Sequence, residues 1–294
     1  MATKIEWTND TWNPITGCTK ISEGCANCYA EKMAKRLRGR FGYPAENPFK
    51  ITYHWDKLNQ PLKWRQARRI FVCSMGDLFH KDVCFEAVIE VLLIIKKCPQ
   101  HTFIILTKRP KRMYDFFNKY TLNPFNLKNN NPLKNLWLGV SIENQKTADQ
   151  RIPVLLQIPA AVRFVSVEPM LSPVDLRSDE LKWCDRTESA HECDYAIDHL
   201  NWVICGGESG PNARPMRPDW ARSLRDQCLA AGVPFFFKQW GGSNKKKAGR
   251  LLDGRVWNEY PGGEAGEKFG KPMGWAKCLE LVRKSFLRVS AAVD

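Results

Sequence analysis

Residues 162–170 read VRFVSVEPM, and this stretch shows the pattern that decides the fold. A run rich in Val and Phe switches at once to an acid and a proline, as expected of a strand that is buried on both faces and ends abruptly. Five other runs have the same character: RIFVCSMGD (69–77), HTFIILTKRP (101–110), LWLGVSIEN (136–144), NWVICGGESG (201–210) and VPFFFKQWGG (233–242). Each is predicted to form one strand of a buried sheet.

Segments with helical periodicity lie between these runs. Residues 84–97 carry an apolar face and end with two lysines, 218–231 stops before Gly232, and 26–38 ends at Gly39. Such endings are typical of helix termini. Strand and helix alternate six or seven times, which predicts parallel strands with helical crossovers.

Polar residues recur at the carboxyl end of each predicted strand. They are Ser74 and Asp77, Lys108 and Arg109, Ser141 and Glu143, Ser166 and Glu168, Glu208 and Ser209, and Lys238 and Gln239. In a barrel these ends meet at one mouth, whereas an open sheet would spread them along an edge. We therefore predict an α/β fold, a partial or nearly complete parallel (β/α) barrel. Alternatively, these residues form ion-pair networks or are polar because strands exit to solvent.

Two insertions interrupt the alternation, at 121–135 and 178–200. The first is rich in Asn and Pro, as surface loops are. The second is either a peripheral excursion or a zinc site, because it contains Cys184, His191, Cys193 and His199. These small insertions do not divide the predicted barrel.

The C-terminal part is predicted to be distinct from the barrel. Residues 250–257 read RLLDGRVW, and Asp253-Gly254 suits a type I′ hairpin turn. A terminal helix is expected near 274–287. We predict a barrel domain over 1–240 and a basic hairpin and helix, packed on it, over 241–294.

The charge is strongly positive and unevenly spread. The chain has 45 basic and 31 acidic residues, and hence a formal net charge of +14. The segment from Lys32 to Arg69 has eleven Lys or Arg and two acids, with six interleaved aromatic residues. This composition fits either a nucleic-acid groove or a solvated basic face over a small aromatic core.

Cysteine usage indicates a reducing compartment. The chain has 11 cysteines, an odd number, at irregular spacing. Those at 73, 98, 205 and 228 lie in apolar runs and are expected in the core. Because the first residues have no apolar signal region and no long apolar span is present, we expect a cytoplasmic protein without a membrane segment.

Residues 12–32 read WNPITGCTKISEGCANCYAEK and place Cys18, Cys25 and Cys28 at C-x6-C-x2-C spacing before a predicted helix. Three thiolates this close can bind one metal centre. An iron–sulfur cluster with three cysteines keeps one iron open, which favours a reactive site. Structural zinc is the alternative if a fourth ligand folds back, namely Cys73, His80 or Cys84.

Several motifs occur in order along residues 3–260: the cysteine segment, FVCSMGDLFH, LTKRP, WLGVSIEN, FVSVEPML, VICGGESGPNARP, FFFKQWGG and GRLLDGRVW. In this set the chain resembles the phage-associated three-cysteine-motif family of unknown function, which is regarded as distantly similar to spore photoproduct lyase. The loop position also resembles that of the radical S-adenosylmethionine superfamily. Two features depart from that superfamily: its spacing is C-x3-C-x2-C, and Asn27 replaces an aromatic residue.

The resemblance implies a [4Fe–4S] cluster on Cys18, Cys25 and Cys28 whose open iron binds S-adenosylmethionine. It implies reduction by a donor such as flavodoxin or ferredoxin, and formation of a 5′-deoxyadenosyl radical. The segment Ser74, Met75, Gly76 and Asp77 would contact the methionine amino group, with Asp77 as the acid. The cofactor would also contact Glu143 and Glu208.

The other strand-end residues are predicted to act on the substrate. Lys108, Arg109 and Lys238 are candidates for phosphate contact or proton transfer, and Glu168 joins them as a catalytic candidate that could also contact the cofactor. Our leading prediction is a radical enzyme acting on a nucleic-acid base or nucleotide, in repair or modification. The alternatives are a radical enzyme acting on a small metabolite and a zinc-containing nucleic-acid-binding protein without enzymatic activity.

Overall fold

A parallel sheet forms the centre of the computed structural model, which describes residues 5–120, 132–183 and 194–262. The strands in spatial order are β1 (Asp10–Trp12), β4 (Arg69–Val72), β5 (Thr102–Thr107), β6 (Leu136–Ile142), β7 (Val162–Val167), β10 (Trp202–Gly206) and β11 (Phe235–Gln239). Every neighbouring pair is parallel. The first and last strands do not pair, so the sheet is a partial barrel, as predicted.

The helices follow the strands in sequence. They are α1 (Tyr29–Arg36), α2 (Trp55–Leu58), α3 (Phe85–Lys97), α4 (Pro110–Tyr120), α5 (Gln145–Leu156), α6 (Pro218–Ala231) and α7 (Lys245–Ala248). Helix α6 ends at Gly232 in a left-handed conformation, as its glycine predicted. Helix α1 is shorter than the predicted 26–38, because Cys28 occupies its N-cap position. None of the helices within the described residues combines the length and apolar character that a membrane span requires.

The remaining elements are short. Strands β2 (Ile15–Thr16) and β3 (Thr52–Tyr53) pair, as do β8 (Lys182–Trp183) and β9 (Asp194–Tyr195). Within the described part of the chain, 3₁₀ helices span Glu23–Cys25, Gln60–Lys63, Asp179–Leu181 and Ala196–His199. Of the predicted zinc residues, His199 lies against Asp194 at 3.4 Å, while Cys184, His191 and Cys193 lie outside the described residues.

Strand β1 was not among the six predicted strands. It is only three residues long and contains a single large apolar residue, Trp12. It is a strand because it pairs in parallel with β4, between Asp10 and Ile70 and between Trp12 and Val72. Tertiary pairing thus supplies the seventh strand, directly before the cysteine segment.

The two faces of the sheet carry different cores. The larger core lies between the sheet and the helices and includes Cys73, Cys98, Cys205 and Cys228, so the prediction that these cysteines are buried is confirmed. On the opposite face, the Trp202 ring contacts those of Trp7, Trp137, Phe164, Phe236 and Tyr260 at centroid distances of 5.4–6.1 Å. Because Trp202 begins β10, these rings fill the inner face near the amino ends of the strands.

The C-terminal hairpin is confirmed. Strands β12 (Leu251–Leu252) and β13 (Arg255–Val256) pair antiparallel, and Asp253 and Gly254 have φ values of 54° and 75°. Two successive positive values are what a type I′ turn requires. Leu252 and Trp257 are buried in the same core as the barrel residues. The division at residue 240 stays a prediction, and the expected helix at 274–287 lies outside the described residues.

Candidate functional site

The three cysteines lie on a loop, residues 17–28, that crosses the carboxyl ends of the strands; we call it the cysteine loop. It starts against the segment that follows β4, where the Gly17 N–H donates to Met75 O at 3.0 Å. A Cβ at Gly76 would lie 2.8 Å from Gly17 O, so glycine allows this approach. The loop ends at Cys28, where α1 begins.

Three polar side chains hold the cysteine loop to different strand ends. Thr19 accepts a 2.9 Å hydrogen bond from Arg109, which follows β5. Ser22 donates to Glu143, after β6, at 2.8 Å. Asn27 donates to Glu208, after β10, at 3.0 Å. One short loop can reach all three ends because the sheet curls, and this places the cysteines over the barrel mouth.

Glu143 is completely buried at the centre of a charged network. It pairs with Lys108 and lies 3.2 Å from the Arg151 guanidinium, which also donates to Ser141 O. Burial alone would raise the pKa of Glu143, but the Lys108 and Arg151 charges and the Ser22 hydroxyl lower it. Glu143 is therefore an anion that holds the loop in place.

Glu208 forms the second anchor. Its oxygens accept hydrogen bonds from the Arg214 guanidinium at 2.6 and 2.9 Å and from the Arg214 N–H at 2.9 Å. Burial opposes ionisation, yet the bonds from Arg214 and Asn27 lower the pKa of Glu208 to about 2. Arg214 also donates to Glu23 O, so this ion pair contacts the cysteine loop at two residues.

The segment from Ser74 to Asp77 lies beside the start of the cysteine loop. The Asn13 side-chain oxygen Oδ1 accepts from the Ser74 hydroxyl at 3.2 Å and from the Met75 N–H at 3.0 Å. Asp77 is buried, and its carboxylate accepts from the Thr107 hydroxyl at 2.7 Å and from the Lys108 N–H at 3.2 Å. Asp77 thus joins the ends of β4 and β5.

A second polar group faces the mouth from β7 and β11. Glu168 pairs with Lys238 at 2.7 Å and accepts a hydrogen bond from Gln239 at 3.2 Å. Two residues below Glu168, on the same face of β7, Ser166 is 1% exposed. Its hydroxyl oxygen and the Gln239 side-chain oxygen Oε1 have no hydrogen-bond partner within the described residues. Unpartnered polar atoms facing inward are suited to binding a ligand.

The cysteines differ in their readiness to ionise. Burial and the nearby Asp77 carboxylate raise the pKa of Cys18 to about 11, although Arg109 opposes this. Burial also acts against Cys25, but hydrogen bonds from the Ile21 and Ser22 backbone and the Lys108 charge lower its pKa. Cys25 is thus the thiol better prepared to act as a ligand, because the thiolate binds metal.

The chemistry of these donors fits an iron–sulfur cluster, since all three are free, partly exposed thiols on one loop. Across residues 5–120, 132–183 and 194–262, no three His, Cys, Asp or Glu are grouped closely enough to bind one metal ion. That finding concerns a single ion. Each cysteine of a [4Fe–4S] cluster binds a different iron, so its sulfurs lie farther apart than the ligands of one ion.

The possible fourth zinc ligands lie in different surroundings. Cys73 is buried in the main core, and Cys84 lies 3.8 Å from the Tyr53 hydroxyl. His80 is next to the cysteine loop, but its Nδ1 accepts from the Asp82 N–H and its Nε2 lies 2.8 Å from the Thr19 hydroxyl. Both ring nitrogens of His80 are thus engaged.

A family model described as "Protein of unknown function (DUF5131)" matches residues 2–261. The chain belongs to this family. Its description assigns no activity, and the phage association stays a prediction. No curated protein matches the sequence.

Two solved structures are similar to this DUF5131 chain. One is a spore photoproduct lyase double mutant with bound AdoMet and dinucleoside spore photoproduct, with 14% identity and a TM-score of 0.33 over 54% of this chain and 45% of that chain. The chain thus spans less than half of that protein. The other is spore photoproduct lyase complexed with dinucleoside spore photoproduct, with 11% identity and a TM-score of 0.37 over 74% of this chain and 71% of that chain.

Residues that hold the cysteine loop were not all predicted for this DUF5131 protein. Thr19, Ser22, Arg151 and Arg214 were missed, and Asn27 was noted only as a departure from the superfamily pattern. Arg214 lies in the PNARP motif after β10, six residues from its partner Glu208, so its proximity to a strand end was a usable signal. Arg151 lies within α5, where the sequence offers no sign that its side chain turns inward.

Proposed function

We propose that this protein is a radical S-adenosylmethionine enzyme in which Cys18, Cys25 and Cys28 hold a [4Fe–4S] cluster. The observation that carries the proposal is the attachment of the cysteine loop across the barrel mouth, through Ser22 to Glu143 and Asn27 to Glu208. These hydrogen bonds to carboxylates at separate strand ends hold the thiols at the mouth, where the Glu168–Lys238 pair also lies. When bound, the cluster supplies the electron that cleaves the sulfonium of S-adenosylmethionine into methionine and a 5′-deoxyadenosyl radical.

The residues around the loop are proposed to orient the cofactor. The segment from Ser74 to Asp77 is the nearest strand end to the start of the loop, which supports its assignment to the methionine amino group. Glu143 and Glu208 are proposed to contact the polar groups of the cofactor while their salt bridges fix the loop. Because both carboxylates are held as anions, each can accept from a hydroxyl or cationic group of the cofactor that replaces one of its present donors.

The substrate is proposed to be a nucleic-acid base or nucleotide. Glu168 and Lys238 form an ion pair on the opposite side of the mouth from Asp77, next to the unpartnered Ser166 hydroxyl. Such a group can bind the polar edge of a base, with the carboxylate accepting a proton from the substrate or the ammonium donating one to it. Lys108 and Arg109 are proposed to contact phosphate, Arg109 through the part of its guanidinium not bonded to Thr19. A flavodoxin or ferredoxin is the proposed electron donor.

Metal content tests the cluster. Protein purified without oxygen is expected to be brown and to contain about four irons per chain. Replacing Cys25 by Ala should remove most of the iron, whereas Cys84→Ala, at an exposed thiol outside the loop, should retain it. Colourless protein with one zinc per chain would contradict the proposal.

Product formation tests the chemistry separately. Reduced, iron-loaded protein should convert S-adenosylmethionine to methionine and 5′-deoxyadenosine, and the yield should rise when an oligonucleotide is added. Failure to form 5′-deoxyadenosine despite a full cluster would refute the radical step. If the yield rises with a small metabolite but with no nucleic acid, the proposal that the substrate is a nucleic-acid base or nucleotide is wrong.

A further inference from the structure

An exposed, basic and aromatic surface lies outside the barrel mouth, at the far end of α1. It comprises Arg36, Arg38, Arg40 and Phe41, with Lys57 beside them, and we call it the α1 turn. The three arginines are exposed, and Arg40 donates to Arg36 O at 2.6 Å. Among the described residues, no carboxylate pairs with any of these arginines, and the nearby acid Glu31 already pairs with Lys20 and Lys35.

Phe41 is the unusual residue of this surface. Its side chain is 71% exposed, the highest value among the large apolar residues described. Its φ is +53°, in the left-handed region that residues with a Cβ rarely adopt. Phe41 and Gly42 both have positive φ in a tight turn that the Tyr43 N–H closes by donating to Arg40 O at 2.9 Å, and this turn presents the Phe41 ring to solvent.

Lys57 contacts Phe41, and a second exposed aromatic residue, Trp55, lies in the same short helix as Lys57. The Lys57 ammonium donates to Phe41 O at 3.4 Å and lies 3.4 Å from His54 Nδ1. Trp55, between them in sequence, stacks on Tyr53 with an interplanar angle of 9° and is 50% exposed. The surface therefore carries two exposed aromatic residues, Phe41 and Trp55, and a lysine that contacts the Phe41 backbone.

The α1 turn is structurally continuous with the cysteine loop. Helix α1 runs from directly after Cys28 to Arg36, eight residues or about 12 Å. Tyr43 and Met75 share a small core with this helix, and Cys28 packs against that core. A chain bound at the α1 turn can thus extend along α1 to the barrel mouth.

We propose that the α1 turn is a docking surface for single-stranded nucleic acid, with phosphates at the arginines and a base stacked on Phe41. Arginines without acidic partners can bind phosphate, and exposed aromatic rings can stack on unpaired bases. A single strand offers both groups, whereas a duplex and an acidic protein offer no unstacked bases. The inference deepens the nucleic-acid substrate proposed above, but binding at this surface requires neither cluster nor S-adenosylmethionine. A failure of nucleic acid to bind at the α1 turn is therefore distinguishable from a failure of the radical chemistry.

Binding is measured by fluorescence anisotropy, with the full chain and a labelled 20-nucleotide single strand of mixed sequence at several salt concentrations. Replacing Arg36 and Arg40 by Gln should weaken binding and reduce the slope of log K against log salt by about 1.4, at about 0.7 for each lost phosphate contact. The matched control is Lys96→Gln with Lys97→Gln. These exposed lysines end α3, a different helix, and the control removes the same charge.

Phe41→Gly tests the stacking contact separately. It should lower affinity about 5- to 150-fold with little change in the salt slope. Because glycine accepts a positive φ, the melting temperature should not fall, so a loss of binding cannot be ascribed to unfolding.

Two results would overturn the proposal. One is equal weakening by the arginine and lysine pairs, which would indicate diffuse attraction to net charge. The other is evidence that no unstacked base is held, seen either as unchanged binding of Phe41→Gly or as equally tight binding of a duplex.

Discussion

Replacing Glu208 by Gln should destabilise the protein through a charge effect that depends on pH. The substitution keeps the shape of the side chain but leaves the Arg214 guanidinium without its anionic partner. The pKa of Glu208 falls from 4.5 to about 2 on folding, which corresponds to about 3 kcal/mol at neutral pH. Because the Arg214 side chain is 36% exposed, water screens the pair, and we expect about 1–2 kcal/mol.

The direction of the pH dependence follows from the lowered pKa of Glu208. The Glu208 carboxylate stabilises the fold fully above pH 4.5, and the contribution is lost as pH falls towards 2. The difference between wild type and Glu208→Gln should therefore be complete at pH 7 and less than half as large at pH 3. Urea unfolding followed by tryptophan fluorescence at both values measures it.

The same variant should loosen the cysteine loop, because Asn27 loses a charged acceptor. Alkylation of Cys25 and Cys28 in cluster-free protein, measured by mass spectrometry, should be faster than in wild type. Asp253→Asn is the matched control, since Asp253 also pairs with two arginines but on the surface of the hairpin, and it should change neither quantity. An equal stability difference at pH 7 and pH 3 would refute the electrostatic reasoning, and unchanged alkylation would refute the anchoring role.

Three further predictions concern close packing and ligands. Gly24→Ala should lower iron retention without removing a ligand, because its Cβ would lie 2.4 Å from Glu143 Cγ; iron content after reconstitution measures this. Gly139→Ala should destabilise the fold by about 1–3 kcal/mol, because its Cβ would lie 2.5 Å from the Phe164 ring. The double variant Gly139→Ala with Phe164→Leu should recover part of the lost stability, as measured by thermal unfolding. In cluster-free protein, alkylation of Cys25 should become slower in Lys108→Met, because the lost ammonium raises the thiol pKa; a pH–rate profile tests this.

Much of the fold was predictable because its signals are local. The six apolar runs formed strands, and helix ends at Gly232 and the turn at Asp253-Gly254 followed from backbone preferences of those residues. Polar residues at the strand ends converged on one mouth because parallel strands share a direction. The cysteine loop was likewise evident from spacing within 11 residues.

The partnerships within the site were not predictable in the same way. Glu143 is paired with Lys108 and Arg151, and Glu208 with Arg214, so these carboxylates hold the loop as well as facing the mouth. Strand β1 exists only because of its pairing with β4. Periodicity, turn chemistry and cysteine spacing act within a few residues, so the sequence by itself determined the strands, the helix ends and the thiol triplet. Ion pairs and short parallel strands depend on which side chains the curled sheet brings together across the mouth, and that was decided only by the tertiary structure.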